Sequence, residues 1–328
     1  MIYVRSIALA LVLAAAIQAL TVGVLAPFLP RELCRPMVKA ERTLTVPATR
    51  ELKLLNDDGA IRIYTHSDPH IHVRANIRAY TPDSEARPVA QAYLSELIYY
   101  EQHGPTTYLI TEPKERPDVI DLRVDYVIQV PLGTDLDLRG MNGNIWIARD
   151  AGNVHIEGNN ADVEINEPFG TVFVQSMNGR IRVFGATSDT ILSTINGSIY
   201  AHMTGGSLRA STTNGAIVAR LLDFSVHECI LTAQNGGITL ALAEGVFADV
   251  SAHTERGIVQ SDFEIDLEEG VQQRKTLRGM IGNGSTRVSM TSMNGNIWIT
   301  PHYRRDSDVD TETREGFALF QRYLNASQ

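Results

Sequence analysis

The sequence has few of the residues that mark a catalytic or metal-binding protein. It contains only two cysteines among 328 residues, Cys34 and Cys229, and neither belongs to a CxxC pair. Two such cysteines cannot build a disulfide framework or a cysteine-rich zinc site. The GxSxG, HExxH and Walker patterns are also missing, as is a GxGxxG that follows a strand. The sequence therefore predicts no catalytic residue and no cofactor.

Basic residues are scarce relative to acidic ones. The chain has 29 Lys and Arg against 38 Asp and Glu, a formal net charge of −9, and no block of basic residues. Nucleic-acid-binding proteins place clusters of positive charge against the phosphate backbone. The composition therefore argues against nucleic acid as a partner.

One long apolar run is present, near the N-terminus. It extends from Ile7 to Leu29 and is interrupted only by Gln18 and Thr21. A helix of this length reaches roughly 34 Å, which is enough to cross the hydrocarbon core of a membrane. Residues 1–42 are therefore predicted to hold an uncleaved membrane anchor or an export signal. More basic residues follow the run than precede it, which would instead favour a cytoplasmic domain and leaves the orientation open.

A repeat dominates the rest of the sequence. The heptapeptide MNGNIWI occurs at residues 141–147 and 293–299, and its two copies hold both tryptophans of the chain. Apolar residues recur every nine positions after the first copy, in the series Ile145, Val154, Val163, Val172, Ile181, Thr190, Ile199, Leu208 and Ile217. A fixed period of short β-rich segments predicts a β-solenoid, in which each unit packs on its neighbours.

Asparagine and glycine mark one corner of each repeat. Asparagine recurs every eighteen residues, so one coil is predicted to contain two strands. Both residue types accept positive φ and let a strand reverse within a few positions, and stacked asparagines can form a hydrogen-bonded ladder. The predicted structural turn residues are Asn142, Gly143, Asn178, Gly179, Asn196, Gly197, Asn214, Gly215, Asn294 and Gly295.

Shorter β-rich segments precede the repeat. Strands are predicted at residues 43–46, 51–55, 60–64, 70–77, 108–111 and 121–130. One helix is predicted at about 84–102, with Ala90 and Leu94 on its apolar face. The predicted fold class is all-β, with a β-solenoid domain over residues 43–300 and a tail over 301–328. Residues 287–299 are predicted to close the solenoid, and a helix over 310–324 to cap it.

The combined pattern resembles a known family. The segments LKLLNDDGAIRIY and DLRVDYVIQVPLGTDLDLRGMNGNIWI, followed by successive NGxI coils, resemble the bacterial putative-adhesin family over residues 43–300. The resemblance implies a β-solenoid behind a signal or anchor helix, an envelope location, and no agreed catalytic residues. It does not imply adhesion, because a name taken from a fold is not a function.

The outward-facing side chains differ from coil to coil. One face is predicted to present Trp146, Glu164, Arg182, Tyr200 and Val218, and the other His155, Phe173, Leu192 and Arg209. Trp146, Tyr200 and Phe173 are the candidate binding residues, because exposed aromatic rings stack on sugars and partner side chains. Glu164 and Arg182 are expected to pair across adjacent coils.

No metal site is predicted. His66, His70 and His72 with Asp68 form the most metal-like cluster, but no distant further ligand accompanies them, and a solvated edge strand is favoured. Calcium-binding β-rolls place a carboxylate two residues before each repeated apolar residue, whereas glycine occupies most of these positions here.

The sequence favours a non-enzymatic protein, membrane-anchored or exported, that presents a surface to a cell-envelope glycan or protein. One alternative is a carbohydrate-active β-helix enzyme, which needs two carboxylates close together. Glu164 is the one carboxylate expected at outward strand positions from Gly143 to Val218. The other alternative is a cytoplasmic regulatory or assembly scaffold.

Overall fold

The computed structural model describes residues 37–81, 85–94, 97–111, 121–267 and 274–302. The apolar run from Ile7 to Leu29, Cys34 and the predicted helix over 310–324 lie outside these residues. Among the residues described, no helix is long and apolar enough to cross a membrane. The described chain is almost entirely β-structure, which confirms the predicted all-β class.

Two long sheets form the two faces of the protein. Sheet A has 12 strands and sheet B has 13. In spatial order, sheet A consists of β1 (Met37–Pro47), β4 (His70–Tyr80), β7 (Asp121–Pro131), β3 (Ile61–His66), β9 (Ile145–Ile147), β11 (Val163–Asn166), β13 (Ile181–Ala186), β15 (Ile199–Met203), β17 (Ile217–Leu221), β19 (Ile238–Leu242), β25 (Ile297–Pro301) and β21 (Val259–Ser261). Sheet B consists of β22 (Asp266–Leu267), β23 (Thr276–Ile281), β20 (Ala248–Thr254), β24 (Thr286–Ser292), β18 (Val226–Asn235), β16 (Gly206–Asn214), β14 (Thr190–Asn196), β12 (Val172–Asn178), β10 (Val154–Asn160), β8 (Asp135–Asn142), β2 (Glu51–Asp58), β6 (Thr106–Ile110) and β5 (Tyr99–His103).

Each coil of the repeat contributes one strand to each sheet. Strands of successive coils pair in parallel and in register, with Val154 opposite Val172 and Val163 opposite Ile181. The residues of the nine-residue series are buried between the sheets. Because side chains alternate across a strand, one apolar set from each sheet meets its counterpart in a continuous core. The parallel coils of two strands are present as predicted.

Antiparallel strands close the ends of the stack. At one end of sheet A, β4 pairs with both β1 and β7 in antiparallel register. At the opposite end of the molecule, β23 pairs antiparallel with β20 and β22 in sheet B. Such strands interrupt the parallel pattern that another chain would otherwise extend at an exposed edge.

The order of the last coils differs from the prediction. The coil of β24 and β25, which holds the second MNGNIWI copy, lies between the β18/β19 and β20/β21 coils. The prediction that residues 287–299 close the solenoid is therefore wrong. Asn294 Nδ2 donates to Asn235 Oδ1 at 2.7 Å and continues the asparagine column. In the outer coil, Arg256 Nη1 donates to Asn294 Oδ1 at 3.2 Å and ends that column.

The described helix is shorter than predicted. Helix α1 spans Arg87–Leu94, with Ala90 and Leu94 buried. Residues 99–102, assigned to the same helix from the sequence, lie in β5, so the prediction is wrong at that end. Strand β5 pairs antiparallel with β6 across a turn at Gly104. Tyr99 and Tyr100 favour strand structure, and this pairing supplies the backbone hydrogen bonds of β5.

Candidate binding surface

The asparagine corner is a continuous ladder of amide hydrogen bonds. In each step Nδ2 of one asparagine donates to Oδ1 of the asparagine in the preceding coil, at 2.7 to 2.8 Å. The ladder runs through Asn142, Asn160, Asn178, Asn196, Asn214, Asn235 and Asn294. An interior amide both donates and accepts, so the ladder holds the coils in register. These side chains serve the fold and do not form the candidate site.

The glycine after the asparagine lies against the backbone of the neighbouring coil. Positive φ occurs at Gly143 (+140°), Gly179 (+149°) and Gly215 (+156°), and at none of the ladder asparagines. The expectation that asparagine itself takes positive φ is therefore wrong. A Cβ added to Gly179 would overlap the carbonyl oxygen of Ala161 in the preceding coil. Glycine is required here both by φ and by the close approach of two backbones.

One row of side chains follows the outer face of sheet A along the stack. We call it the outer row, and in spatial order it consists of Arg62, Trp146, Glu164, Arg182, Tyr200, Val218, Thr239, Trp298 and Gln260. Trp146 and Tyr200 are three strands apart, and so are Tyr200 and Trp298. At about 4.8 Å per strand, each interval is roughly 14 Å. Three aromatic residues are therefore evenly spaced along one face.

Trp146 belongs to a side-chain network at one end of the outer row. Its ring packs against Tyr64 with 5.0 Å between ring centroids, and its Nε1 donates to Glu164 Oε1 at 3.1 Å. Arg182 Nη1 donates to Glu164 Oε2 at 3.0 Å, which forms the cross-coil pair expected from the sequence. Both oxygens of Glu164 therefore have partners. This carboxylate orients its neighbours, which is a poor arrangement for a group that must transfer a proton.

Tyr200 and Trp298 are the more accessible aromatic residues of the outer row. Tyr200 is 37% exposed and Trp298 is 48% exposed, whereas Trp146 is half-buried. Trp298 Nε1 donates to Asp262 Oδ2 at 3.0 Å, which restrains its ring. The ring borders a cleft of about 690 Å³ that is also lined by Phe263 and Arg274. Trp298 is not among the binding residues predicted from the sequence, although its heptapeptide is identical to the one around Trp146.

Phe173 does not join the outer row. It lies on the outer side of sheet B, half-buried, and stacks on His155 with 4.8 Å between ring centroids. Ile191, opposite Phe173 in the register of sheet B, is 44% exposed, whereas Leu192 is only 1% exposed. The sequence-based assignment of Leu192 to this outer face is therefore wrong by one position. A shift of one residue in a strand exchanges the two faces.

These features define a two-sheet parallel β-solenoid with an evenly spaced aromatic row on one face. Residues 109–300 match the Toastrack DUF4097 family, and the chain belongs to that family. The predicted resemblance to a putative-adhesin family of unknown function is thereby confirmed.

The chain was also compared with curated proteins and with solved structures. No curated protein matches it. Similar solved structures include a putative adhesin from Bacteroides fragilis NCTC 9343, with 14% identity, coverage of 81% of this chain and 97% of that chain, and a TM-score of 0.42. A putative adhesin from Parabacteroides merdae ATCC 43184 has 9% identity, coverage of 81% and 96%, and a TM-score of 0.36. A putative lipid binding protein from Parabacteroides distasonis ATCC 8503 has 12% identity, coverage of 81% and 97%, and a TM-score of 0.23. Such identities transfer no function to this chain.

Proposed function

We propose that the protein is a non-enzymatic interaction domain of the cell envelope and that its outer row binds an extended envelope glycan. The observation that carries this proposal is the even spacing of Trp146, Tyr200 and Trp298 along one face of the solenoid. Aromatic rings offer flat apolar surfaces on which sugar rings stack. Equal intervals suit a ligand that is itself a repeating polymer.

Polar groups between the aromatic residues support the same class of ligand. Arg182, Thr239 and Gln260 share the outer row with Tyr200 and Trp298. Guanidinium, hydroxyl and amide groups are suited to the hydroxyls of a glycan. The row also mixes residue types and carries both signs of charge, so it is not built for a ligand of one charge sign.

The two glutamates on the outer faces of the repeat, Glu164 and Glu157, do not favour an enzyme. Glu164 is paired at both oxygens. Glu157, which was not predicted to face outward, lies on sheet B and contacts Arg139 and His155. The two glutamates therefore lie on opposite faces, whereas glycoside hydrolysis needs two carboxyl groups close together. The thiol of Cys229 is also unsuited to nucleophilic attack, because burial raises its pKa to about 12.

The proposed test is retention of the full-length protein on isolated cell-wall and membrane fractions. The double variant Tyr200→Ala/Trp298→Ala is expected to lose affinity about tenfold or more, because central aromatic contacts carry much of the energy of an interface. Both side chains are exposed, so the melting temperature should stay near that of the parent. Phe224→Ala is the matched control, since Phe224 is 72% exposed in the turn between β17 and β18.

Three outcomes would contradict the proposal. Unchanged retention of the double variant would exclude the outer row as the binding surface. An equal loss of retention in Phe224→Ala would indicate that exposed aromatic residues bind these fractions non-specifically. Cleavage of the polymer by the wild type, abolished by Glu164→Gln, would favour the carbohydrate-active enzyme.

The proposed location is the extracytoplasmic side of the membrane. The segment from Ile7 to Leu29 would act as the anchor, residues 43–300 as the exposed solenoid and residues 301–328 as its tail. The apolar run and the family resemblance support this arrangement. Protease added to intact cells is expected to digest the solenoid. Protection until the membrane is lysed would place the domain in the cytoplasm.

A further inference from the structure

Three histidines and an aspartate come together beside the outer row. His66 ends β3, while His70 and His72 alternate along β4, and β7 lies between these two strands. The short connection from β3 to β4 carries Asp68. Ligand atoms of His66, Asp68 and His72 all lie within 4.8 Å of one another. The sequence favoured a solvated edge strand here, whereas the structure brings these side chains together.

We propose that His66, Asp68 and His72 bind a divalent transition-metal cation such as Zn²⁺, with His70 available as a further ligand. Imidazole nitrogen and carboxylate oxygen are preferred donors for such ions. His72 Nε2 lies 3.2 Å from Asp68 Oδ2. Two ligands held about 2.0 to 2.1 Å from a tetrahedral zinc ion are themselves about 3.3 Å apart. This pair already has the separation of two zinc ligands.

The neighbours of Asp68 and His72 hold these two ligands in place. His70 Nδ1 lies 2.8 Å from Asp68 Oδ1, the carboxylate oxygen that does not face His72. Thr45 Oγ1 lies 3.3 Å from Nδ1 of His72, the nitrogen that does not face Asp68. A partner on the second nitrogen is the usual way in which a metal-binding imidazole is oriented.

His66 provides an observation that is independent of Asp68 and its partners. Its Nε2 atom is buried and has no hydrogen-bond partner in the described part of the chain. Burial of a polar atom without a partner destabilises the folded protein, and a cation bound to Nε2 would provide that missing partner. His66 Nδ1 accepts from the Asp68 amide at 3.1 Å. Binding through Nε2 would move the ring hydrogen to Nδ1, so the Asp68 amide would have to turn away.

The position of the cluster indicates a structural role for the ion. Strands β3 and β4 both pair with β7 and are separated by it, so an ion held by His66 and His72 cross-links two strands that are not hydrogen-bonded to each other. Tyr64, two residues before His66, packs on Trp146 at the end of the outer row. The ion would therefore stabilise the end of sheet A that carries the first aromatic residue of the proposed binding surface.

The test is titration of tag-free, chelator-treated, full-length protein with Zn²⁺ by calorimetry. Saturable binding of one ion per chain is expected, together with a rise in melting temperature. The variant His66→Gln/His72→Gln removes two ligands and is expected to weaken binding by about 100-fold or more. His103→Gln is the matched control. His103 Nε2 also lies 3.2 Å from a carboxylate, that of Glu101, but this pair does not belong to the group of metal-ligating side chains found in the described part of the chain. This control should bind Zn²⁺ as the wild type does.

Asp68→Asn keeps the size of the side chain but removes its charge, and it tests the site if the double variant fails to fold. It is expected to lose at least about tenfold in Zn²⁺ affinity with little change in the melting temperature of the metal-free protein. Mg²⁺ should not compete, since it prefers an all-oxygen shell. Absence of saturable Zn²⁺ binding by the wild type, or equal binding by the wild type and Asp68→Asn, would overturn the proposal.

Discussion

Replacing Gly179 with alanine is expected to lower the free energy of unfolding by about 3 kcal/mol or more. Gly179 has a φ of +149°, which side-chain-bearing residues rarely adopt. The added Cβ would also overlap the carbonyl oxygen of Ala161. Neither backbone can easily move away, because Gly179 N donates to Asn196 O at 3.0 Å and Ala161 N donates to Asn178 O at 2.9 Å. Urea denaturation measures the loss.

Gly104→Ala separates the two causes of that loss. Gly104 also has positive φ, at +59°, but no heavy atom outside its chain neighbours lies within 4 Å of an added Cβ. Its replacement should therefore cost only about 1 kcal/mol, which is the strain of a left-handed backbone. If Gly179→Ala lowers the free energy of unfolding no more than Gly104→Ala does, close stacking of the coils is not the reason that glycine is required at this corner.

Replacing Asn196 with alanine is expected to lower the free energy of unfolding by about 1 to 3 kcal/mol. Asn196 donates to Asn178 Oδ1 at 2.7 Å and accepts from Asn214 Nδ2 at 2.8 Å. The substitution therefore removes two hydrogen bonds and interrupts the ladder in its middle. Backbone strain does not contribute, because Asn196 is not among the residues with positive φ. Thermal or urea unfolding followed by circular dichroism provides the measurement.

Asn159→Ala is the control for the ladder. Asn159 lies in β10 one position before the ladder residue Asn160. Its side chain takes no part in the ladder, so its replacement should change stability by less than about 0.5 kcal/mol. Equal stability of Asn196→Ala and Asn159→Ala would show that the amide ladder does not stabilise the solenoid.

The repeat makes the coils predictable because period, burial and turn chemistry agree in every unit. Ile145, Val163 and Ile181 recur at a constant spacing, so the same side of each strand has to face the core. The same constant spacing is enough to predict that Trp146 and Tyr200 share one face. The same spacing places Ile191 between Phe173 and Arg209 on the outer side of sheet B, so the assignment of Leu192 to that face departs from the repeat by one residue.

Sequence alone determined the local features of this protein: strands of alternating polarity, asparagine and glycine corners, and the parallel stacking of adjacent coils. These depend on contacts that repeat at short and constant intervals. Tertiary structure decided the features that depend on distant segments. It inserted the β24/β25 coil between two earlier coils, which brought Trp298 into the outer row with Tyr200. It also paired β5 with β6 and placed β7 between β3 and β4, gathering His66 and His72. This strand order depends on which long-range strand pairings are the most stable and on which coil best continues the ladder. No local sequence pattern contains that information.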